Sequence, residues 1–159
     1  KGFGKVILIS HRGNIDGKKS TLENSPEYVE SALVLGYDVE VDVWYDKGFW
    51  LGHDAPEYKI ESIFLTSNSS RLWCHAKNLE AMVEMKKYPE LNYFWHQDDD
   101  VTLTSKGYLW AYPGKQPLKN SIAVMPEINN DKISECEGIC SDYISKYRGK
   151  QDNTTSFHF

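Results

Sequence analysis

The sequence is poor in cysteine and has no long apolar run. Its three cysteines, Cys74, Cys136 and Cys140, cannot all pair with one another, and the last two lack the Cys-x-x-Cys spacing of common zinc and redox sites. We therefore expect reduced thiols. No segment approaches the roughly 18 apolar residues of a membrane-spanning helix, so we expect no membrane span and a cytoplasmic location. The chain begins at Lys1 rather than Met, which leaves a removed N-terminal segment as an alternative.

The chain also lacks the excess of positive charge that nucleic-acid-binding proteins carry. Lysine and arginine number 18 against 23 aspartates and glutamates, and the net charge of -5 argues against a nucleic-acid partner. Hydrophobic residues at 40% and charged residues at 26% are ordinary for a globular protein. A chain of 159 residues can bury a substantial core, so we predict one domain spanning residues 1–159.

Short apolar, β-rich runs alternate with polar segments that contain glycine or proline. This rhythm predicts strands joined by loops or helices. Seven strands are predicted, over residues 5–10, 38–43, 71–75, 92–96, 107–111, 121–125 and 138–142. A helix is predicted over residues 25–35, with Pro26 at its first position and Gly36 after its end, and a second over residues 78–87, before Pro89. The alternation of strand and helix favours a parallel α/β arrangement.

The strongest functional signal is a set of short motifs that follow or lie within the first two predicted strands. They bring histidine, arginine and carboxylates together with glycine, which permits close backbone approach to a ligand. Such residues suit proton transfer, phosphate binding and metal binding. The motifs are His11-Arg12-Gly13, Leu22-Glu23-Asn24-Ser25, Glu40-Val41-Asp42-Val43 and Gly52-His53-Asp54.

In this order the motifs resemble the signature of the glycerophosphodiester phosphodiesterases, which runs His-Arg-Gly, Glu-Asn-Thr, Glu-x-Asp-Val and His-Asp. Residues 137–143, Glu-Gly-Ile-Cys-Ser-Asp-Tyr, also resemble the closing strand of that family. The resemblance brackets most of the chain, and its middle matches weakly. It implies a metal-dependent hydrolase that converts small-molecule glycerophosphodiesters to glycerol phosphate and an alcohol, built on a TIM-type barrel.

The residues themselves also indicate a metal site on the second predicted strand. Alternation along a strand places Glu40 and Asp42 on one face, about 7 Å apart. Two inward carboxylates need a cation, and hard oxygen ligands suit Mg²⁺ or Ca²⁺. The alternative is that the two acids lie on a solvated face while Val39, Val41 and Val43 form the core face of an ordinary sheet.

Two histidines are candidates for proton transfer. His11 ends the first strand beside Arg12, which could bind a phosphate. Residues 46–48 predict a turn and residues 49–51 a short returning strand that delivers His53 towards His11. The resemblance implies that one histidine assists attack and the other protonates the leaving alcohol. We assign His11 as base and His53 as acid, with the reverse assignment open.

The third predicted strand departs from the family, which offers Glu-x-Lys where this chain has His75-Ala76-Lys77. By the resemblance, Lys77 contacts phosphate. His75 is either a nitrogen ligand that shifts the site towards Mn²⁺ or Zn²⁺, or it leaves the metal on two carboxylates and water. Glu23 supports the site by a hydrogen bond or simply favours the start of the helix.

Length is the second departure, because a complete TIM barrel takes about 250 residues and rarely fewer than roughly 200. We therefore predict a reduced barrel of seven or eight mostly parallel strands with several helices missing or shortened. A homodimer that covers exposed barrel surface is an open alternative. Two other functions also stay open: a phospholipase-like lyase that forms a cyclic phosphate, and an inactive phosphate-binding barrel.

Overall fold

The computed structural model describes residues 6–149. Lys5, at the start of the first predicted strand, and the two ends of the predicted domain 1–159 lie outside the described residues. All seven predicted strands and the short returning strand are present within the described range. The strands are β1 (Ile7–His11), β2 (Asp38–Tyr45), β3 (Phe49–Leu51), β4 (Tyr58–Ile60), β5 (Leu72–Ala76), β6 (Asn92–Trp95), β7 (Val101–Leu103), β8 (Leu109–Ala111), β9 (Ser121–Val124) and β10 (Gly138–Ser141).

Three α-helices lie among the described residues: α1 (Pro26–Val34), α2 (Ser62–Ser67) and α3 (Leu79–Met85). The predictions of α1 and α3 are confirmed, and both helices start where a side chain caps them. Ser25 accepts a hydrogen bond from the backbone N–H of the third helical residue, and Asn78 does the same for α3. The elements α2, β4 and β7, each six residues or shorter, were not predicted.

Seven strands form a continuous parallel sheet in the order β6-β5-β2-β1-β10-β9-β8. The hairpin β3-β4 pairs antiparallel with the end of β2, and β7 pairs antiparallel with β8. The α/β class is thus confirmed, in a mixed ten-stranded sheet with few helices. In the described part of the chain no strand ladder joins β6 to β7 or β8, although Thr102 Oγ1 donates a hydrogen bond of 2.8 Å to the Trp95 carbonyl.

Strand β2 is buried on both faces, and its two faces differ in chemistry. Val39, Val41 and Val43 are fully buried in the cluster formed with α1 and α3. Glu40 and Asp42, on the opposite face, are 2% and 0% exposed. The interpretation of these acids as a solvated face is therefore wrong, and the carboxylates need partners inside the protein.

Candidate active site

A cavity of about 560 Å³ opens at the carboxyl ends of the parallel strands. Strand register explains how distant residues meet there, since His11 pairs with Glu40 across β1 and β2, and Asp42 pairs with His75 across β2 and β5. Neighbouring residues on parallel strands point the same way. The predicted site residues that line the cavity are His11, Arg12, Glu40, His53, His75 and Lys77.

Each of the two buried carboxylates, Glu40 and Asp42, has one buried oxygen without a hydrogen bond. Asp42 Oδ2 accepts a hydrogen bond of 2.9 Å from Asn24 Nδ2 and lies 3.0 Å from Arg12 Nε. Asp42 Oδ1 and Glu40 Oε1 are buried without a hydrogen bond to any described residue. Leaving such oxygens unsatisfied is costly, so this arrangement fits a bound cation.

His75 lies beside both carboxylates. Its Nδ1 atom is 3.3 Å from Asp42 Oδ1 and 3.7 Å from Glu40 Oε2. Burial alone would lower the pKa of His75, but the two carboxylates raise it to about 9. Burial would raise the pKa of Asp42, whereas His75, Arg12 and Asn24 together hold it well below its usual range. Ligand atoms of Glu40, Asp42 and His75 all lie within 4.8 Å of one another, so the three residues could hold a metal ion.

A third carboxylate orients His11. Asp142 Oδ1, just after β10, accepts a hydrogen bond of 2.8 Å from His11 Nδ1. The other ring nitrogen, Nε2, faces the cavity 3.8 Å from Glu40 Oε1. Burial lowers the pKa of His11, but the hydrogen bond to Asp142 and the charge of Glu40 outweigh it, and the net change is upward. His11 is therefore held in one tautomer with Nε2 available to a ligand.

An amide links the two acids behind His11. Asn14 Nδ2 donates hydrogen bonds of 2.7 Å to Glu23 Oε2 and 2.8 Å to Asp142 Oδ1. The hydroxyl of Tyr28 donates to Asn14 Oδ1 at 3.0 Å. Glu23 thus accepts a hydrogen bond behind His11, and its supporting role stays a prediction. Ligand atoms of His11, Glu23 and Asp142 also converge, but Asn14 already donates a hydrogen bond to each of the two acids.

Arg12 lines the cavity and also forms ion pairs with buried carboxylates. Besides its contact with Asp42, its Nη1 atom lies 3.5 Å from Glu23 Oε1. The Arg12 side chain is 12% exposed. The backbone of Arg12 has a φ of 60° at the turn after β1. Its predicted contact with phosphate stays a prediction, because most of its charge faces the protein's own acids.

His53 is held more loosely than His11. It follows β3, which pairs with β2 and so carries the ring to the mouth of the cavity. Its side chain is 43% exposed, and Nδ1 lies 2.9 Å from Asp54 Oδ1. At Gly52, a Cβ atom would fall 2.0 Å from the carbonyl oxygen of Ala55, so the turn that presents His53 requires glycine.

Aromatic rings also line the cavity. Trp95, Trp110 and Tyr112 line the cavity together with His96, whose ring stacks on Tyr112 with centroids 3.9 Å apart. Four residues near the cavity were not predicted as site residues: Asn14, Asn24, Tyr28 and Asp142. Asn24 lies in the Glu-Asn motif and Asp142 in the closing-strand motif, so a signal existed for these two.

No protein-family model, curated protein or solved structure matches this chain. None of the helices between residues 6 and 149 has the length and apolar character needed to cross a membrane. The three cysteines are free thiols, as predicted.

Proposed function

We propose that this protein is a metal-dependent phosphodiesterase acting on small glycerophosphodiesters. The observation that carries the proposal is the position of His11, oriented by Asp142, in one cavity with Glu40, while Glu40 and the neighbouring Asp42 each keep a buried oxygen without a hydrogen bond. The motif order that resembles the glycerophosphodiester phosphodiesterases supports the same function. We interpret the sheet as a reduced TIM-type barrel, whose strands would present their carboxyl ends to one site.

The carboxylates of Glu40 and Asp42 would hold a divalent cation. When bound, the cation supplies Lewis acidity that polarises a phosphoryl oxygen and offsets its charge. Lys77 lines the cavity and would bind a phosphoryl oxygen as a positive charge. Together these groups would stabilise negative charge as it develops during phosphoryl transfer.

Proton transfer would fall to the two histidines. His11 Nε2 takes the proton of the attacking hydroxyl, and the Asp142 carboxylate stabilises the resulting imidazolium. A new P–O bond forms as the bond to the alcohol breaks. His53 donates a proton to the departing alcohol oxygen. The nucleophile is either water or a hydroxyl of the substrate's own glycerol, which would give a cyclic phosphate that water then opens.

Turnover of glycerophosphodiesters by chelator-treated protein tests the proposal. We expect no activity until a divalent cation is added, and a loss of at least about 100-fold in both His11→Ala and His53→Ala, the low end of general acid-base contributions. Full activity in EDTA would contradict the metal requirement. Unchanged rates in both variants would contradict the catalytic pair.

A lysine pair supplies a matched control for phosphate binding. Lys77→Ala should raise KM or lower kcat at least about 10-fold, since a positive charge at the developing oxyanion is lost. Lys59→Ala should leave the rate unchanged, because Lys59 lies over the Trp50 ring on the hairpin and does not line the cavity. Equal effects of both substitutions would contradict a phosphate site at Lys77.

Two alternative functions of the same site, a cyclising lyase and an inactive phosphate-binding barrel, can be distinguished from the hydrolase by experiment. A lyase would accumulate cyclic phosphate, whereas a hydrolase would release open glycerol phosphate. An inactive phosphate-binding barrel would bind glycerophosphocholine in calorimetry without turning it over in any divalent metal.

A further inference from the structure

We propose that His75 is the nitrogen ligand of a mixed nitrogen and oxygen metal centre, and that this centre selects a first-row transition ion such as Mn²⁺, Co²⁺ or Zn²⁺ over Mg²⁺ and Ca²⁺. The inference rests on the metal site of the proposed function and adds the class of its metal. It turns on the one position where the third strand departs from the Glu-x-Lys pattern.

The backbone fixes which nitrogen of His75 faces the carboxylates. Its Nε2 atom lies 3.2 Å from the carbonyl oxygen of His96. Because a carbonyl only accepts hydrogen bonds, Nε2 carries a proton and donates it. Histidine ligands in metalloproteins commonly donate their second N–H in this way, which sets the tautomer and the ring orientation.

Packing holds the ring in that orientation. The Phe94 ring stacks on His75 with centroids 4.9 Å apart and an angle of 17° between the planes. The His75 side chain is only 13% exposed. Its Nδ1 atom is thus directed at the space between Glu40 and Asp42 before any ligand binds.

The two distances from His75 to the carboxylates match the spacing of ligands on a small cation, and ligand atoms of all three residues lie within 4.8 Å of one another. Atoms bound to one cation at about 2.1 Å and at roughly tetrahedral angles lie about 3.4 Å apart. His75 Nδ1 lies 3.3 Å from Asp42 Oδ1 and 3.7 Å from Glu40 Oε2. A cation would displace the Nδ1 proton, while Nε2 keeps its own proton on the His96 carbonyl.

The donor set favours a transition ion. Mg²⁺ and Ca²⁺ prefer all-oxygen coordination, and Ca²⁺ takes about six to eight oxygens. Imidazole suits Zn²⁺, Cu²⁺, Fe²⁺ and Ni²⁺, and the affinity of a mixed nitrogen and oxygen site rises from Mn²⁺ through Co²⁺ along the first row. Two carboxylates and one imidazole leave further coordination positions open to the cavity, as a catalytic site needs.

Metal binding to the metal-free full chain tests this inference without reference to activity. We expect calorimetry to give Mn²⁺, Co²⁺ and Zn²⁺ affinities at least about 10-fold above those of Mg²⁺ and Ca²⁺. We also expect pulsed electron paramagnetic resonance of the Mn²⁺ complex to detect coupling to a ¹⁴N nucleus. The spectrum is recorded on the wild-type chain, so it tests nitrogen ligation even if a substituted protein fails to fold.

The substitution His75→Glu installs the acid expected in the family. It should remove the ¹⁴N coupling and reverse the preference towards Mg²⁺ and Ca²⁺. His96→Gln is the matched control, because it removes a ring from the same cavity and keeps the backbone carbonyl that orients His75. Its metal affinities and its spectrum should be unchanged.

Several outcomes would overturn the inference. Coupling that survives in His75→Glu and disappears in His11→Gln would assign the nitrogen ligand to His11. If the wild type and His75→Glu bind Mg²⁺ with the same affinity relative to the transition ions, the proposed role of His75 in metal selectivity is wrong. Metal-dependent turnover would still support the phosphodiesterase. If no cation binds, His75 itself neutralises the carboxylates, and the metal requirement of the proposed function fails with it.

Discussion

The orientation and the pKa of the His11 imidazole depend on the carboxylate of Asp142, 131 positions later in the chain. Asp142 raises the pKa of His11 through its hydrogen bond and fixes the Nδ1 tautomer. We predict that Asp142→Asn lowers kcat at least about 10-fold. The limb of the pH-rate profile that belongs to His11 should move to lower pH, because a group that raises its pKa has been weakened.

A full pH-rate profile for each protein distinguishes this role from a purely structural one. A structural role for Asp142 would lower the free energy of unfolding and leave the position of the limb unchanged. That result would contradict the assignment of Asp142 as the residue that positions His11.

Asn24 holds the buried carboxylate of Asp42 in place through two hydrogen bonds. Its side chain donates to Asp42 Oδ2 at 2.9 Å and accepts from the Asp42 backbone N–H at 3.0 Å, and its backbone φ is 67°. We predict that Asn24→Ala lowers the free energy of unfolding by about 2 to 4 kcal/mol, since two buried hydrogen bonds are lost. Asn24→Gly should recover about 1 kcal/mol of this, because glycine tolerates the left-handed backbone. Urea denaturation measures both, and equal stability of all three proteins would rule out the assigned role.

At the scale of elements, the turn after β1 and the first turn of α1 are packed too closely for a side chain at Gly13. Its φ is 98°, and a Cβ atom there would lie 2.4 Å from Tyr28 Cδ2. We predict that Gly13→Ala destabilises the protein by at least about 1 kcal/mol more than Gly107→Ala. Gly107 has a similar φ of 89° with no atom within 4 Å of the added carbon, so it isolates the backbone strain.

Chemical denaturation gives the two stabilities, and activity gives a second result. Tyr28 cannot move aside freely, because its hydroxyl binds Asn14 and through it the acids behind His11. Gly13→Ala should therefore also reduce turnover, whereas Gly107→Ala should not. If Gly13→Ala and Gly107→Ala lower the free energy of unfolding equally, the Tyr28 ring moves away from the added carbon without loss of stability.

Sequence patterns predicted the elements whose signals are local. A short apolar, β-rich run identified β2, and Pro26, Gly36 and Pro89 marked the limits of the two longer helices. The three-residue strands β4 and β7 are too short for a period-2 pattern to stand out. Their pairing with β3 and β8 depends on contacts that no single segment encodes.

The same distinction holds for the site. His11, Glu40 and His53 belong to motifs and could be proposed from sequence. The function of Asn14 could not, because its two acceptors are 9 and 128 residues away along the chain. Only the fold brings Glu23 and Asp142 to the same amide.

At the scale of the whole molecule, the thiols report on global unfolding. Cys74 and Cys140 are fully buried, and burial raises the pKa of Cys74 to about 12. Cys136 is half-buried, and burial raises its pKa to about 11. We predict that a thiol reagent at pH 8 modifies Cys136 slowly in the native protein and all three cysteines in denaturant. Fast modification of Cys74 or Cys140 under native conditions would indicate that the sheet opens locally.

The central place of β1 in the sheet has a consequence for synthesis of the protein. One neighbour of β1 is β2, but the other is β10, and His11 is separated from Asp142 by 131 positions. At ordinary translation rates a nascent chain therefore carries His11 for on the order of 10 s before its partner exists. During that interval the apolar residues Ile7, Leu8 and Ile9 are without their β10 partners, and exposed apolar segments of this kind promote aggregation.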